Sequence, residues 1–276
     1  MKTILVTRSW DDIKIKEFTK RMIGAVDHII VCINVKKENK VDTRALLQEM
    51  KNMTTIPIEQ WGASNPLNIG FTEAIKRKAD FILAISPEVN QLKKEHIDEM
   101  EKELNKDTEN NLVIGYSLKS EWPKKRKWPK DCRNKDFFKK DFIKGHSSNS
   151  SEFAYRIPWN TCALWNAKLF RKYVITFNTI CDVNEFDEIP VKIGKCYYCT
   201  PVEGMEDGLA IMQAYERNCK LKCFLIKRPQ VWDKMEFDEH KLLGDQKKLS
   251  RKQKVLEVYR KKFDLEFPPA SNVLII

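Results

Sequence analysis

The sequence predicts an α/β protein built on an open, mostly parallel (mixed) sheet flanked by helices. Two observations carry that prediction. Short, continuously apolar runs recur between residues 3 and 85, and segments with the apolar spacing of amphipathic helices separate them. Strands buried on both faces read as unbroken apolar runs, and strand–helix alternation builds parallel sheets.

Taken in order, Lys2 to Arg8 reads as a buried first strand and residues 11–26 as an amphipathic helix. The run from His28 to Val35 is a second strand with Asn34 at its polar end, and residues 43–53 form a helix. Residues 55–61 give a third strand ending at Trp61, residues 69–78 a helix after a Gly-Ala-Ser-Asn-Pro loop, and residues 81–85 a fourth strand. In such sheets ligands bind at the carboxyl ends of the strands. Those ends carry Thr7 and Arg8, Asn34, Trp61, and Ser86-Pro87-Glu88. A cation, an amide, an aromatic ring and a carboxylate around one crevice suit a nucleotide, which needs a wall for its base, a polar edge and a neutraliser for its phosphates. Taken singly, Arg8 also reads as a surface ion-pair partner and Trp61 as core.

Beyond this half, residues 92–105 read as a charged helix and residues 111–116 as a strand, after which the composition shifts. Residues 118–150 are dense in lysine and arginine, with Trp122, Trp128, Phe137, Phe138 and Phe142 interleaved. That pattern fits either a solvated insertion or a surface for nucleic acid or anionic lipid. Order returns with a strand over residues 157–166, a helix over 167–173, a strand over 191–200, a helix from Glu206 and a strand over 221–226. A basic amphipathic helix over residues 247–262 follows, its Val255, Leu256 and Tyr259 placed to dock on the domain or on a membrane. The organisation expected is one Rossmann-like domain divided into residues 1–117, a basic aromatic insertion or lid at 118–150, a second half at 151–245, and a C-terminal basic helix and tail at 246–276.

Composition sets outer bounds. With 276 residues, 42% of them hydrophobic, the chain can bury a substantial core, and its net charge of +11 suits an anionic partner such as nucleic acid, a phosphorylated substrate or an acidic membrane. The sequence holds no apolar run of about eighteen residues and no signal-peptide pattern, so a cytoplasmic protein is expected. Its eight cysteines are then expected as free thiols, Cys32 and Cys162 among apolar neighbours. A four-thiolate zinc site from Cys196, Cys199, Cys219 and Cys223 is the alternative, with near-miss spacing.

The chemistry is placed at Glu206-Asp207, two adjacent carboxylates that follow Gly204 and open a helical pattern. Unpaired backbone N–H groups and the positive end of the helix dipole hold a carboxylate ionised there, ready to accept a proton. A simple charge-matching cap is the other reading.

At this point a resemblance appears. Asn68-Ile69-Gly70-Phe71-Thr72-Glu73-Ala74, followed by the strand that ends in Ser86-Pro87-Glu88-Val89, resembles the N-x-G-F-x-x-A helix and the N/D-P-D-V segment of family-2 glycosyltransferases of GT-A fold, in the rhamnosyltransferase-like branch. Residues 160–170 are similar to the strand and helix before the acceptor site, Glu185-Phe186-Asp187-Glu188 to the G-F-D-E segment, and Met205-Glu206-Asp207-Gly208-Leu209 to the E-D-x-x-L motif. The resemblance implies a GT-A-type sheet and an inverting transfer of a sugar from a nucleotide-diphosphate donor to a glycan or lipid-linked acceptor. It further implies that Asp207 is the general base with Glu206 beside it, and that Thr7, Arg8, Asn34, Trp61, Asn68 and Ser86 surround the donor. Glu88 and the late His240 would be ligands of a divalent metal, Mn²⁺ or Mg²⁺. A peripheral contact with an anionic inner-membrane face is compatible with the basic segments, and no specific nucleic acid is expected.

The chain also departs from the family pattern. Ser86 and Glu88 replace the usual acidic or amide residue and aspartate, which predicts a weak or dispensable metal, and Asn34 replaces the usual acidic contact to the base. A non-catalytic GT-A-like module for nucleotide or nucleic acid is the alternative that these departures leave open. A nucleotidyltransferase ranks last, because the Gly-rich, basic triphosphate loop expected near its N-terminus is absent from the sequence.

Overall fold

The computed structural model describes residues 1–9, 12–35, 52–62, 64–116, 157–178, 191–193, 196–198, 206–226, 256, 260, 263–268 and 273–276. Its centre is an eight-stranded mixed sheet. In chain order the described elements are β1 Thr3–Ser9, α1 Asp12–Met22, β2 His28–Asn34, β3 Met53–Ile58, α2 Asn65–Lys76, β4 Phe81–Ile85, α3 Lys94–Asn105 and β5 Asn111–Tyr116. The second half contributes β6 Cys162–Asn166, the short α4 Ala167–Leu169, a π-helix Phe170–Val174, β7 Val191–Ile193, β8 Cys196–Tyr198, α5 Glu206–Arg217, β9 Lys222–Ile226 and β10 Val273–Ile275. The sheet order is β10-β9-β5-β6-β4-β1-β2-β3. Only β6 runs against its neighbours, pairing antiparallel with both β4 and β5. This is the open, mostly parallel (mixed) α/β sheet flanked by helices that the sequence predicts.

Period-two alternation along the strands separates two cores. Ile4 and Val6 of β1, Ile30 and Cys32 of β2 and Ile82 and Ala84 of β4 join the core formed with α2 and α5. Leu5, Ile29, Val31 and Leu83 join the opposite core with Ile15, Phe18 and Met22 of α1 and Ile97, Met100 and Leu104 of α3. The buried residues of α1, α2 and α3 repeat at three to four residues, leaving one face of each free to be polar, whereas α5 is buried continuously from Glu206 to Met212. Consecutive residues of β1 therefore reach opposite sides, which later decides what Thr7 and Arg8 can touch.

Gly70 sets the depth of α2. A Cβ at that position would collide with Val6 Cγ1 and lie 3.3 Å from Cys32 Sγ, so the helix backbone rests directly on β1 and β2. Next to it, Phe71 packs edge-on against Trp165 and Phe177, with centroid distances of 6.4 and 4.9 Å. Asn68 braces the same helix across the chain, its Nδ2 donating to Phe177 O at 2.8 Å and its Oδ1 accepting from Phe177 N at 2.7 Å.

Several expectations are revised. Residues 157–161 are a folded loop rather than the start of β6, because Cys162 N bonds back to Trp159 O at 2.9 Å. The helix expected over 167–173 is a short α-turn that widens into the π-helix, where Ile175 N reaches Phe170 O at 2.8 Å. The strand expected over 191–200 is instead the two short strands of a separate antiparallel pair, β7 and β8. At the other end, the tail contains β10, which extends the sheet in parallel with β9. Three residues are too few to reveal a period, so the pairing partner defines this strand. Leu256 lies fully buried in the α2/α5 core, so at that position the C-terminal segment docks on the domain.

Burial pushes the thiols of Cys32 and Cys162 up to about 12, with the nearby charge of Arg8 opposing the rise at Cys32. Burial raises the Cys223 thiol as well. These three are free core thiols, and Cys219 is exposed. Among the described residues, no group of three or more His, Cys, Asp or Glu side chains could hold a metal ion, and no helix is long and apolar enough to cross a membrane. The helix expected over 43–53 is not helical at its end, where Asn52 lies in a turn and Met53 begins β3, and its residues 43–51, the 118–150 insertion, the 185–188 segment and His240 lie outside the described residues.

Two stability predictions follow from this packing. Gly70→Ala should lower the unfolding free energy by about 1–3 kcal/mol, as overpacking does, read as a lower urea midpoint; an unchanged midpoint contradicts the close seating of α2. The second concerns His28, whose imidazole is held below its ordinary value by burial, with the charges of Arg77 and Lys2 adding and Glu73 opposing. The folded chain thus favours neutral His28, so this contribution is complete above a pH of about 6.5 and is lost as pH falls below it through the folded-state value. Between about pH 7.5 and 5.5 the wild-type midpoint should fall further than that of His28→Gln; parallel falls contradict it.

Candidate active site at the carboxyl edge of the sheet

The carboxyl ends of the parallel strands, the loop that leads into the antiparallel β6 and the first turn of α5 share one edge of the sheet. Parallel strands must all end there, and β6 must start there, so residues remote in sequence converge without special loop design. Arg8 and Glu206 are 198 positions apart, and Arg8 Nη2 donates to Glu206 Oε1 at 3.3 Å. The glutamate side chain is 5% exposed and the arginine 29%. Arg8 shares the side of β1 that carries Ile4 and Val6, the α2/α5 side, which is why it can reach this helix.

Asp207 is the next residue of α5 and is 3% exposed. Its Oδ2 accepts from Asn160 N at 3.1 Å and its Oδ1 from Gly208 N at 2.9 Å. Backbone donors at a helix start stabilise the charged form of a carboxylate, and each oxygen has lone pairs beyond those two bonds. The two neighbouring acids are thereby differentiated. Arg8 pairs with Glu206, and the backbone amides of Asn160 and Gly208 donate to Asp207.

Ser86 follows β4 and opens a turn closed by Val89 N donating to Ser86 O at 3.0 Å. Ser86 Oγ donates to Glu88 Oε2, and the Glu88 side chain is exposed. The turn is fastened to the β6 loop, since Ser86 N donates to Thr161 O at 2.9 Å. Asn34 ends β2 and is buried, and Trp61 lies beyond β3, half-buried against the α2/α5 core. Thr7 is fully buried, and its Oγ1 has no hydrogen-bond partner. Asn68 stands apart from the others, with its amide committed to the backbone of Phe177.

The structure thus brings Arg8, Glu206 and Asp207 together, and it ties Ser86 and Glu88 into one turn. A residue that the sequence does not single out joins them. Asn160 bonds Asp207 through its backbone, and its Oδ1 accepts from Trp165 Nε1 at 2.9 Å. Gly115 makes room for this loop, because a Cβ there would lie 2.7 Å from Cys162 O and 2.9 Å from Pro158 Cβ. The only trace in the sequence is an asparagine inside an otherwise apolar, aromatic run from Ile157 to Trp165.

No family model and no curated protein matches the chain. Solved structures similar to it include residues 1–349 of S. aureus TarS in complex with UDP-GlcNAc, with 15% identity, 78% of this chain and 53% of that one covered, and a TM-score of 0.44. The 4-diphosphocytidyl-2C-methyl-D-erythritol synthase from Anaerococcus prevotii is similar at 13% identity, with 78% of this chain and 98% of that one covered and a TM-score of 0.41. The bifunctional IspDF from Campylobacter jejuni is similar at 11% identity, with 86% and 52% covered and a TM-score of 0.44. The chain spans about half the length of the TarS and IspDF chains that it matches.

Removing the cation should expose the cost of burying Glu206. Arg8→Ala is expected to destabilise the fold by about 1–3 kcal/mol, because it leaves a buried carboxylate uncompensated beside a second one. Glu206→Gln in that background should recover a large part of the loss in urea denaturation. A double variant no more stable than Arg8→Ala contradicts the pairing.

Proposed function

We propose that this chain is an inverting glycosyltransferase that moves a sugar from a nucleotide-diphosphate sugar to a hydroxyl of a glycan or lipid-linked acceptor. The observation that carries the reading is the buried Asp207 at the start of α5, held by two backbone N–H groups on the strand edge where Arg8 and the Ser86–Glu88 turn also lie. An acceptor alcohol is a poor nucleophile until its proton is removed as it attacks. In the proposed step Asp207 takes the hydroxyl proton while the acceptor oxygen bonds the anomeric carbon. The bond from that carbon to the diphosphate oxygen breaks, the nucleoside diphosphate leaves with the electron pair, and the configuration inverts. Beside it, Glu206 is engaged by Arg8.

The donor would lie along the strand ends, its nucleoside near Arg8, Asn34 and Trp61 and its diphosphate near Ser86, while Thr7, fully buried and turned to the other side of the sheet, would not touch it. Glu88 and Ser86 supply hard oxygen donors, and Mg²⁺ is commonly held by one or two carboxylates together with substrate phosphates. This donor set fits a divalent ion shared with the diphosphate, although one protein carboxylate makes for weak binding in the absence of substrate. Such an ion, when bound, neutralises charge that develops on the leaving diphosphate. The branch of the family, the sugar and the acceptor belong to the same proposal, as does a contact of the basic segments with an anionic membrane face.

Asp207→Asn keeps the shape and the acceptor for Gly208 N, puts an NH₂ where Oδ2 accepts from Asn160 N, and lacks a proton-accepting carboxylate. It should leave affinity for the nucleotide sugar within about twofold and reduce transfer by about a thousandfold or more; unchanged turnover removes Asp207 as the base. For the metal, Glu88→Ala should abolish the Mg²⁺ or Mn²⁺ enhancement of nucleoside diphosphate binding in calorimetry, and an enhancement equal to that of the wild type removes Glu88 from the metal site.

A further inference from the structure

Asn160 stands between the two halves of the proposed site. On one side the carbonyl of the next residue, Thr161, accepts from Ser86 N at 2.9 Å, which fastens the loop to the Ser86–Glu88 turn. On the other side the backbone N–H of Asn160 holds Asp207 Oδ2 at 3.1 Å. A residue joined to both lies between the place assigned to the leaving diphosphate and the group assigned to the attacking hydroxyl.

The side chain has a defined orientation. Trp165 Nε1 lies 2.9 Å from Asn160 Oδ1, and an indole N–H only donates, so the atom facing it must be the amide oxygen. Trp165 is fully buried and stands edge-on to Phe71, Phe170 and Phe177, with centroid distances of 6.4, 5.6 and 5.4 Å. With the oxygen anchored to an immobile ring, the NH₂ group is turned the other way. There Nδ2 is buried and has no hydrogen-bond partner, on a residue only 4% exposed. Buried donors are satisfied with few exceptions, and an exception calls for a reason. Rotating the amide would only exchange this unmet donor for an indole N–H facing another N–H.

We propose that Asn160 Nδ2 donates a hydrogen bond to a hydroxyl oxygen of the transferred sugar, which makes Asn160 a substrate-orienting residue. The inference rests on the nucleotide-sugar reading above. In an inverting displacement the leaving oxygen and the attacking oxygen lie on opposite sides of the anomeric carbon. The sugar ring must therefore sit between the Ser86–Glu88 turn and Asp207, where Asn160 is. A neutral amide donor suits a neutral hydroxyl, while the charged leaving group falls to Ser86 and Glu88. A fixed donor of this kind also selects among sugars, since a site built to bond a hydroxyl rejects analogues that lack it.

The test uses the full chain with ¹⁵N-labelled asparagine and a panel of nucleoside diphosphates with their matching nucleotide sugars, all in the presence of Mg²⁺. The Asn160 side-chain NH₂ resonances are assigned by their absence from Asn160→Asp, or from Asn160→Ser if the aspartate variant folds poorly. The expected result is that a nucleotide sugar shifts this pair while its nucleoside diphosphate leaves it in place. Calorimetry should show that Asn160→Asp, which keeps the acceptor for Trp165 and loses the donor, weakens nucleotide-sugar binding by about tenfold or more, with nucleoside diphosphate affinity kept within about twofold. An unmoved NH₂ pair at saturating nucleotide sugar, or an equal loss of both affinities, overturns the role of Asn160 and leaves the function standing. Failure of every panel member to bind the wild type overturns the nucleotide-sugar reading and this inference with it.

Discussion

Two adjacent carboxylates, Glu206 and Asp207, are buried at the first turn of α5, and much of the site's architecture follows from what it takes to keep them there. Placed together in a low-dielectric interior, two negative charges repel each other and lose their hydration. The fold answers each differently. Arg8 crosses from the end of β1 to neutralise Glu206, and the N–H groups of Asn160 and Gly208 hold Asp207. Neighbouring residues of the same chemistry thus meet different partners, a guanidinium at Glu206 and two backbone amides at Asp207.

That arrangement depends on the sheet. Alternation along β1 sends Arg8 to the α2/α5 side, and β6, antiparallel to both its neighbours in the eight-stranded sheet, starts at the edge where they end. Because β6 begins there, the loop before it lies against both the Ser86–Glu88 turn and α5. Gly115 lets that loop settle against β5, and Gly70 lets α2 lie flat on β1 and β2. Two missing side chains thus set the spacing of the layers on which the site is built.

Much of the framework is legible in the sequence, because apolar runs and helical periods record burial by one or both faces directly. The strand ends at Arg8, Asn34 and Ser86, and the acidic start of α5, are legible for the same reason: polarity interrupts an apolar pattern there. Asn160 is not, because its importance comes from Trp165 anchoring its amide and from Asp207, 47 positions away, accepting from its backbone. Asn68 reads as a motif residue, yet its partner is the backbone of Phe177, 109 positions distant. Pairing across such separations leaves no periodic trace. The same holds for β10, whose three residues become a strand only beside β9.

We propose that this edge of the sheet binds a nucleotide sugar, and the melting temperature of the full chain across nucleoside diphosphates and nucleotide sugars, with and without Mn²⁺, tests it. A ligand that binds only the native state adds about 2.7 kcal/mol of stability at a hundredfold excess over its Kd. At least one nucleotide sugar should raise the melting temperature by several degrees (about 2–4 °C per kcal/mol for a chain of this size), with a larger rise when Mn²⁺ is present. A melting temperature that no nucleotide or nucleotide sugar moves, with or without the metal, would contradict it.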